Sequence, residues 1–282
     1  YLIKINHREN LGLDQELKKK QKLLYPNATQ VVLTLLEEES PQQALEILDL
    51  HLRMNPSATI EGRLAKARVL EEFSAEDAYN ELMELSRHHP DSVRVMKEVL
   101  NSKVVWENAR FMKDSDWVEP NLISDAIARL KEVSPNQGYG WRIGEARRLL
   151  AKSSTQNDLA EAARILNFVI DHSPNRVEPR VLLAAAQQQM GNNLEARSNL
   201  RWVNEKKPGD LGVCLALAQL EIDLGNDIGA RDLMKEVVKL TKQMTKEQIP
   251  PAIEIAKNCL EVQDLDRFLR HLYNTEKLSK KG

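Results

Sequence analysis

The chain lacks the features on which most enzymes and cofactor proteins are built. It holds no Walker pattern and no G-x-G-x-x-G, so no glycine-rich cradle for a nucleotide phosphate is encoded. Gly138-Tyr139-Gly140 is too short for one and follows no strand pattern. There is no H-E-x-x-H and no C-x-x-C, hence no zinc signature. The histidines His7, His51, His88, His89, His172 and His271 are scattered. His88-His89 directly precede Pro90, where a helix C-terminus favours cationic or donor side chains. No serine stands in a nucleophile elbow. Glu37-Glu38-Glu39 are neighbours in sequence and so point in different directions on a helix; they read as a solvated run. The sequence therefore offers no catalytic residue, no cofactor site and no metal site.

Other scarcities narrow the class further. Two cysteines, Cys214 and Cys259, do not make a disulfide framework. Each lies on the apolar side of an expected helix and reads as a core thiol. No apolar run approaches the roughly 20 residues of a membrane-spanning helix. Lys plus Arg number 40 against Asp plus Glu 42, a net charge of −2. That balance supplies neither the basic excess of a nucleic-acid binder nor an acidic solvating tail. The chain begins at Tyr1 rather than Met. This leaves the compartment open, with the cytoplasm favoured over an anchored or exported parent protein.

What the chain does have is a period of 34. Gly191 and Gly225 stand one period apart, as do Asn192 and Asn226, Ala196 and Ala230, Leu200 and Met234, and Pro174 and Pro208. Small, large and breaking residues kept in one register identify an internal repeat. Within one unit, Val181, Leu182, Ala184, Ala185 and Ala186 give helical spacing over residues 177–190. Gly191 suits the left-handed residue that ends such a helix. Asn192 is placed to cap a second helix, with Glu195 as its capping-box partner. That helix carries Ala196, Leu200 and Val203, has Lys206 and Lys207 in its last turn, and stops at Pro208. The short turn makes the two helices antiparallel. Ala184 and Ala196 are small enough for close approach. One such hairpin leaves an apolar side uncovered and needs a like neighbour.

This pattern resembles the tetratricopeptide repeat. The aromatic half of the family signature is replaced: its usual Trp and Tyr slots hold Arg180 and Gln187 in one unit, and Cys214 and Glu221 in the next. The resemblance implies an all-α solenoid of antiparallel hairpins, a right-handed superhelix with first helices on the concave side. It also implies that a protein segment binds in that groove.

Taken in order, residues 11–25 read as a leading helix with Leu13, Leu17, Leu23 and Leu24 on one side and Lys18, Lys19, Lys20 and Lys22 on the other. Residues 28–38 and 41–54 make a first hairpin, and 57–89 a second in register: Ala44 with Ala78, Leu48 with Leu82, Pro56 with Pro90. Ser74, with Asp77 three residues on, is the expected cap of the second unit's second helix. Residues 91–135 are irregular. The period places their Ala-Leu signature near Met112, but it comes late, at Ala126 and Leu130. Trp106, Phe111 and Trp117 precede it, so an extra or extended helix is expected. Residues 138–151 and 159–172 resume the period, with Ala162 and Leu166 in register. Trp141 takes the slot of the family Trp once an insertion of about five residues is allowed for. Pro250-Pro251 open a final hairpin in which Phe268 replaces the usual Ala. The division expected is 1–90, a capping helix and two hairpins; 91–135, an irregular connector; and 136–282, a second array. The total is about seven hairpins plus the leading helix.

The candidate groove residues lie one helical step from the packed small residues: Arg63, Tyr139, Arg142, Gln188, Gln189, Gln219 and Asp223. Some relatives in this family grip a chain terminus with Lys, Arg and Asn in the groove. The matching slots here are mainly Val181, Ala185, Leu215 and Ala216, so that clamp is not expected. Arg63 and Arg142 are placed to pair an acidic partner. The reading is a non-catalytic scaffold that binds a protein or peptide, with no nucleic acid and no membrane span. The alternative is a structural spacer or self-association arm of a larger envelope or secretion protein.

Overall fold

The computed structural model describes residues 45, 48–49, 52–53, 59–71, 74–111, 121–136, 138–151, 155–241, 244 and 248–279. The expected leading helix and almost all of the first hairpin lie outside these residues. Among the described residues there are thirteen helices and no strand. The all-α expectation holds. The chain divides into two compact units, Tyr1–Trp141 and Arg142–Gly282.

In the first unit, α1 (Thr59–Leu70) and α2 (Ala75–His88) pack as a hairpin. Then come α3 (Val93–Asn101), α4 (Lys103–Phe111) and α5 (Asn121–Val133). The hairpin partner of α3 is α5, while α4 packs against α2 and α3. This explains the late Ala-Leu signature. An inserted helix delays the true second helix, whose Ala126 and Leu130 are buried with Leu64, Leu82, Val95 and Val99 in one core. A single residue, Ser102, separates α3 from α4. Its buried hydroxyl donates to the Glu71 carboxylate and accepts from the Val105 N–H, so the break carries its own hydrogen bonds. Trp106 is half-buried against the core and donates Nε1–H to the Leu100 carbonyl at 2.8 Å. Trp117 and the Phe111 side chain lie outside the described residues.

The second unit holds most of α6 (Tyr139–Ala151), then α7 (Gln156–His172), α8 (Val177–Gln189), α9 (Asn193–Lys206), α10 (Leu211–Asp223), α11 (Asp227–Lys239), α12 (Ile249–Cys259) and α13 (Val262–Ser279). They form four consecutive hairpins. Ala146, Ala162, Ala184, Ala196, Ala218, Ala230 and Ala252 are all fully buried, with Leu166, Leu200 and Met234 beside them. An alanine at each crossing lets backbones approach and gives the facing leucine or methionine its space. Phe268 is fully buried too, filling the room an alanine would leave in the last hairpin. Cys214 and Cys259 are free thiols in one core, and burial pushes both thiols up.

The turns follow the sequence with two differences. Gly191 and Gly225 have φ of 82° and 74°, the left-handed region where a side chain is disfavoured. The following amides close the helix ends, Asn192 N–H to Gln187 O at 2.8 Å and Asn226 N–H to Glu221 O at 2.7 Å. Asn226 also caps α11 through the Gly229 N–H, but Asn192 makes no such side-chain bond to α9. Asn192 is exposed, and water can serve the first N–H groups there. Ser74 likewise makes no backbone cap; its hydroxyl donates to Asp77 at 2.6 Å. A complete capping box forms instead at the start of α7, from Thr155 and Asp158. Pro250 and Pro251 sit in the first turn of α12, where their missing N–H groups cost nothing.

Enlarging the crossings tests this packing. Ala196→Leu or Ala230→Leu is expected to cost about 1–3 kcal/mol by overpacking. Urea midpoints measure the loss, and an unchanged midpoint in both variants would refute the role given to these alanines.

Candidate functional site

In three hairpins an arginine in the slot of the family's Trp makes a contact across to the second helix. Four residues before the packed alanine of a first helix stands Arg63, Arg142 or Arg180, ahead of Ala67, Ala146 and Ala184. Six residues beyond the packed alanine of the second helix stands its partner. Arg63 Nη2 pairs with Glu84 at 2.8 Å, and its Nε with Glu81. The Arg142 guanidinium lies 4.4 Å from the Phe168 ring centroid, and that of Arg180 lies 4.2 Å from Trp202. In the fourth hairpin of this kind the slots hold Cys214 and Glu236.

Cations over aromatic faces contribute about 0.5–1 kcal/mol at exposed sites and more when desolvated. Arg180 also donates to Asn199 at 3.1 Å, and Asn199 in turn donates to Gln187 at 3.0 Å. The Trp slot before Ala146 therefore holds Arg142 rather than Trp141, because the insertion is four residues and not five. One residue turns a helical side chain by about 100°. Trp141 belongs to the first unit's core and donates to the Ser134 carbonyl at 3.0 Å. The arginine-then-alanine spacing is visible in the sequence; the aromatic partner one helix later is not.

The remaining candidates divide by position. Tyr139 is half-buried at the start of α6, within the first unit. Gln188 and Gln189 lie on α8 in line with Val181 and Ala185, one face at spacings of four, seven and eight residues. The equivalents on α10 are Leu215, Gln219, Ile222 and Asp223, each one period on. Gln219 donates Nε2–H to Asp223 at 2.8 Å. Four of the seven candidates thus share one repeat-related face of two first helices. It is apolar and amide in character apart from the exposed Asp223 carboxylate, with Val181, Ala185, Gln188 and Gln219 half-exposed. Arg147, on the preceding first helix α6, is engaged by Glu178 at 2.6 Å.

The Tyr slot of the next unit holds the strongest electrostatic feature. Glu221 is 1% exposed. Arg201 donates to it at 2.6 Å from Nη2 and 3.1 Å from Nε, Asn226 donates at 2.7 Å, and Arg197 lies at 3.6 Å. Burial pushes this carboxyl up. The hydrogen bonds from Asn226 and Arg201 and the charges of Arg201 and Arg197 outweigh burial and hold it below its ordinary value. The cluster ties α9 to α10 and fixes the turn into α11.

Among the described residues no group of three His, Cys, Asp or Glu side chains is placed to hold a metal ion. No helix among them is long and apolar enough to cross a membrane.

The lowered Glu221 carboxyl means that the unfolded chain binds its proton more readily than the folded one. Its contribution is full above the unfolded value of about 4.3 and fades as pH falls through the lower folded value. Glu221→Gln is expected to cost about 1–3 kcal/mol at neutral pH. The variant should also lose less further stability than wild type between neutral pH and acid. Parallel urea-midpoint curves against pH would contradict this.

No protein-family model and no curated protein matches the sequence. Solved structures do match. PilW, a widely conserved type IV pilus biogenesis factor, aligns with a TM-score of 0.54 and 14% identity over 79% of this chain and 95% of its own. A human IFIT1 dimer with PPP-AAAA aligns with a TM-score of 0.51 and 14% identity over 86% of this chain and 60% of its own. The recurring spacing, the left-handed turn glycines, the alanine crossings and these neighbours agree: the chain has the tetratricopeptide-repeat fold.

Proposed function

We propose that the chain is a non-catalytic interaction scaffold whose first helices receive a segment of a partner protein. The observation that carries this reading is the shared face of α8 and α10. Val181, Ala185 and Ile222 supply apolar surface, and Gln188, Gln189 and Gln219 supply amide donors and acceptors. An extended or helical segment needs both. The chemistry of that segment follows from the charges. On the first helices of this unit, Arg142, Arg147 and Arg180 are engaged inside the array by Phe168, Glu178 and Trp202. Arg63, in the other unit, is held in the same way by Glu81 and Glu84. An acidic segment would have to compete with these contacts and would meet the exposed Asp223 carboxylate, so the favoured occupant is an aliphatic segment poor in acidic residues. Tyr139 belongs to the other unit. The tetratricopeptide-repeat neighbours support a protein-binding role of this general kind.

Phage-displayed peptides selected on the purified chain test the proposal. Enriched peptides should be aliphatic and poor in Asp and Glu. Ala185→Arg, at a half-exposed position, should weaken them about tenfold at unchanged melting temperature, the scale of one lost contact at a binding centre. No enrichment, or enrichment indifferent to Ala185→Arg, would overturn the groove. Size exclusion with light scattering separates the alternative: a concentration-dependent oligomer that Ala185→Arg leaves intact would favour a self-association arm.

A further inference from the structure

The shared face of α8 and α10 is uneven in charge. Gln219, Ile222 and Asp223 stand at spacings of three and four residues on α10, and so lie on one side of it. One period earlier the same slots hold Ala185, Gln188 and Gln189 on α8. The repeat therefore packs without a carboxylate there. Asp223 is also the last residue of α10, where the helix's own carbonyls oppose a negative charge. The other first helices of this unit end without an acid, at Leu149-Leu150-Ala151 on α6, Gln187-Gln188-Gln189 on α8 and Lys257-Asn258-Cys259 on α12.

Asp223 is exposed and has no ion-pair partner among the described residues. The cations around it are spent elsewhere. Arg201 and Arg197 serve the buried Glu221, two residues earlier. Arg147 is held by Glu178, and Lys257, on the next first helix, by Glu254 at 3.4 Å. What Asp223 does accept is the Nε2–H of Gln219 at 2.8 Å. An ionised carboxylate only accepts, so the Gln219 amide has to turn its nitrogen toward it. Gln219 Oε1 then remains as a second acceptor on the same face. A carboxylate and an amide oxygen on neighbouring side chains complement a group that only donates, the ammonium of Lys or the guanidinium of Arg.

We propose that Asp223 makes the groove selective for a cation: the aliphatic segment received by α8 and α10 carries a Lys or Arg that pairs with Asp223 and donates to Gln219. This selectivity rests on the groove proposed above and adds the charge that its occupant carries. The same cation meets the carbonyl end of α10, where positive charge is favourable.

Phage-displayed peptides selected in parallel on the full chain and on its Asp223→Lys variant test this. Peptides enriched on wild type should share a Lys or Arg at a fixed place among their aliphatic residues, and those enriched on Asp223→Lys an Asp or Glu at that place. The leading wild-type peptide, synthesised with a fluorophore and read by anisotropy, should bind Asp223→Asn about fivefold more weakly, the scale of an exposed ion pair. Its salt dependence should flatten as well. Changing the peptide's cation to Gln should cost the same on wild type and nothing further on Asp223→Asn. The melting temperature of Asp223→Asn should not fall, since an amide at that place still accepts from Gln219. Aliphatic peptides that Ala185→Arg weakens, but that share no cation or bind Asp223→Asn equally well, would overturn the selectivity and leave the groove standing. No enrichment on either chain would overturn the groove itself, and the role of Asp223 with it.

Discussion

The structure depends on the close crossing of two helices at an alanine. Ala184 and Ala196 in one hairpin, and Ala218 and Ala230 in the next, are fully buried. A methyl side chain at the crossing brings two backbones near enough for leucines and valines on either side to interlock. Everything local serves that approach. Gly191 and Gly225 turn the chain tightly because glycine readily takes the left-handed conformation the turn requires. Pro208, just past α9, keeps the second helix from running on. A hairpin closed in this way still has an uncovered apolar side, and the next hairpin covers it.

Polar side chains add register to what burial stabilises. Across a single hairpin an arginine reaches from the first helix to the second: Arg63 to Glu84, Arg142 to Phe168, Arg180 to Trp202. Between neighbouring hairpins a second set of pairs recurs: Arg94 with Glu61, Arg147 with Glu178, Arg201 with Glu221, Arg231 with Glu261. Most are partly exposed, where an ion pair contributes little to stability. Glu221 differs because it is buried, so its partners decide whether its charge is tolerated. A tetratricopeptide hairpin can thus dispense with its usual Trp and Tyr, provided that charge and hydrogen bonding occupy the same slots.

How much of this is legible in the sequence depends on range. The alanines, the turn glycines and the inserted helix before Ala126 can be read because each is a matter of spacing along the chain. Cross-helix partners cannot. Nothing near Arg142 in sequence announces Phe168, so Arg142 reads as a groove cation when its charge is engaged inside its own hairpin. Trp141 falls one residue from the slot it is assigned, because an insertion has no fixed length in sequence. The shared face of Gln188, Gln189, Gln219 and Asp223 is legible, since periodicity alone sets it. The exposure of Leu194, Ile228 and Val262 is not, because a sequence does not say which apolar residues the core leaves out.

Per-residue native-state hydrogen exchange over α8 to α11 tests the central claim most directly. If hairpins close on their alanines, the slowest amides cluster around Ala184, Ala196, Ala218 and Ala230, and protection breaks at Gly191 and Gly225. Amides at the alanines exchanging as fast as those at the turns would contradict the account.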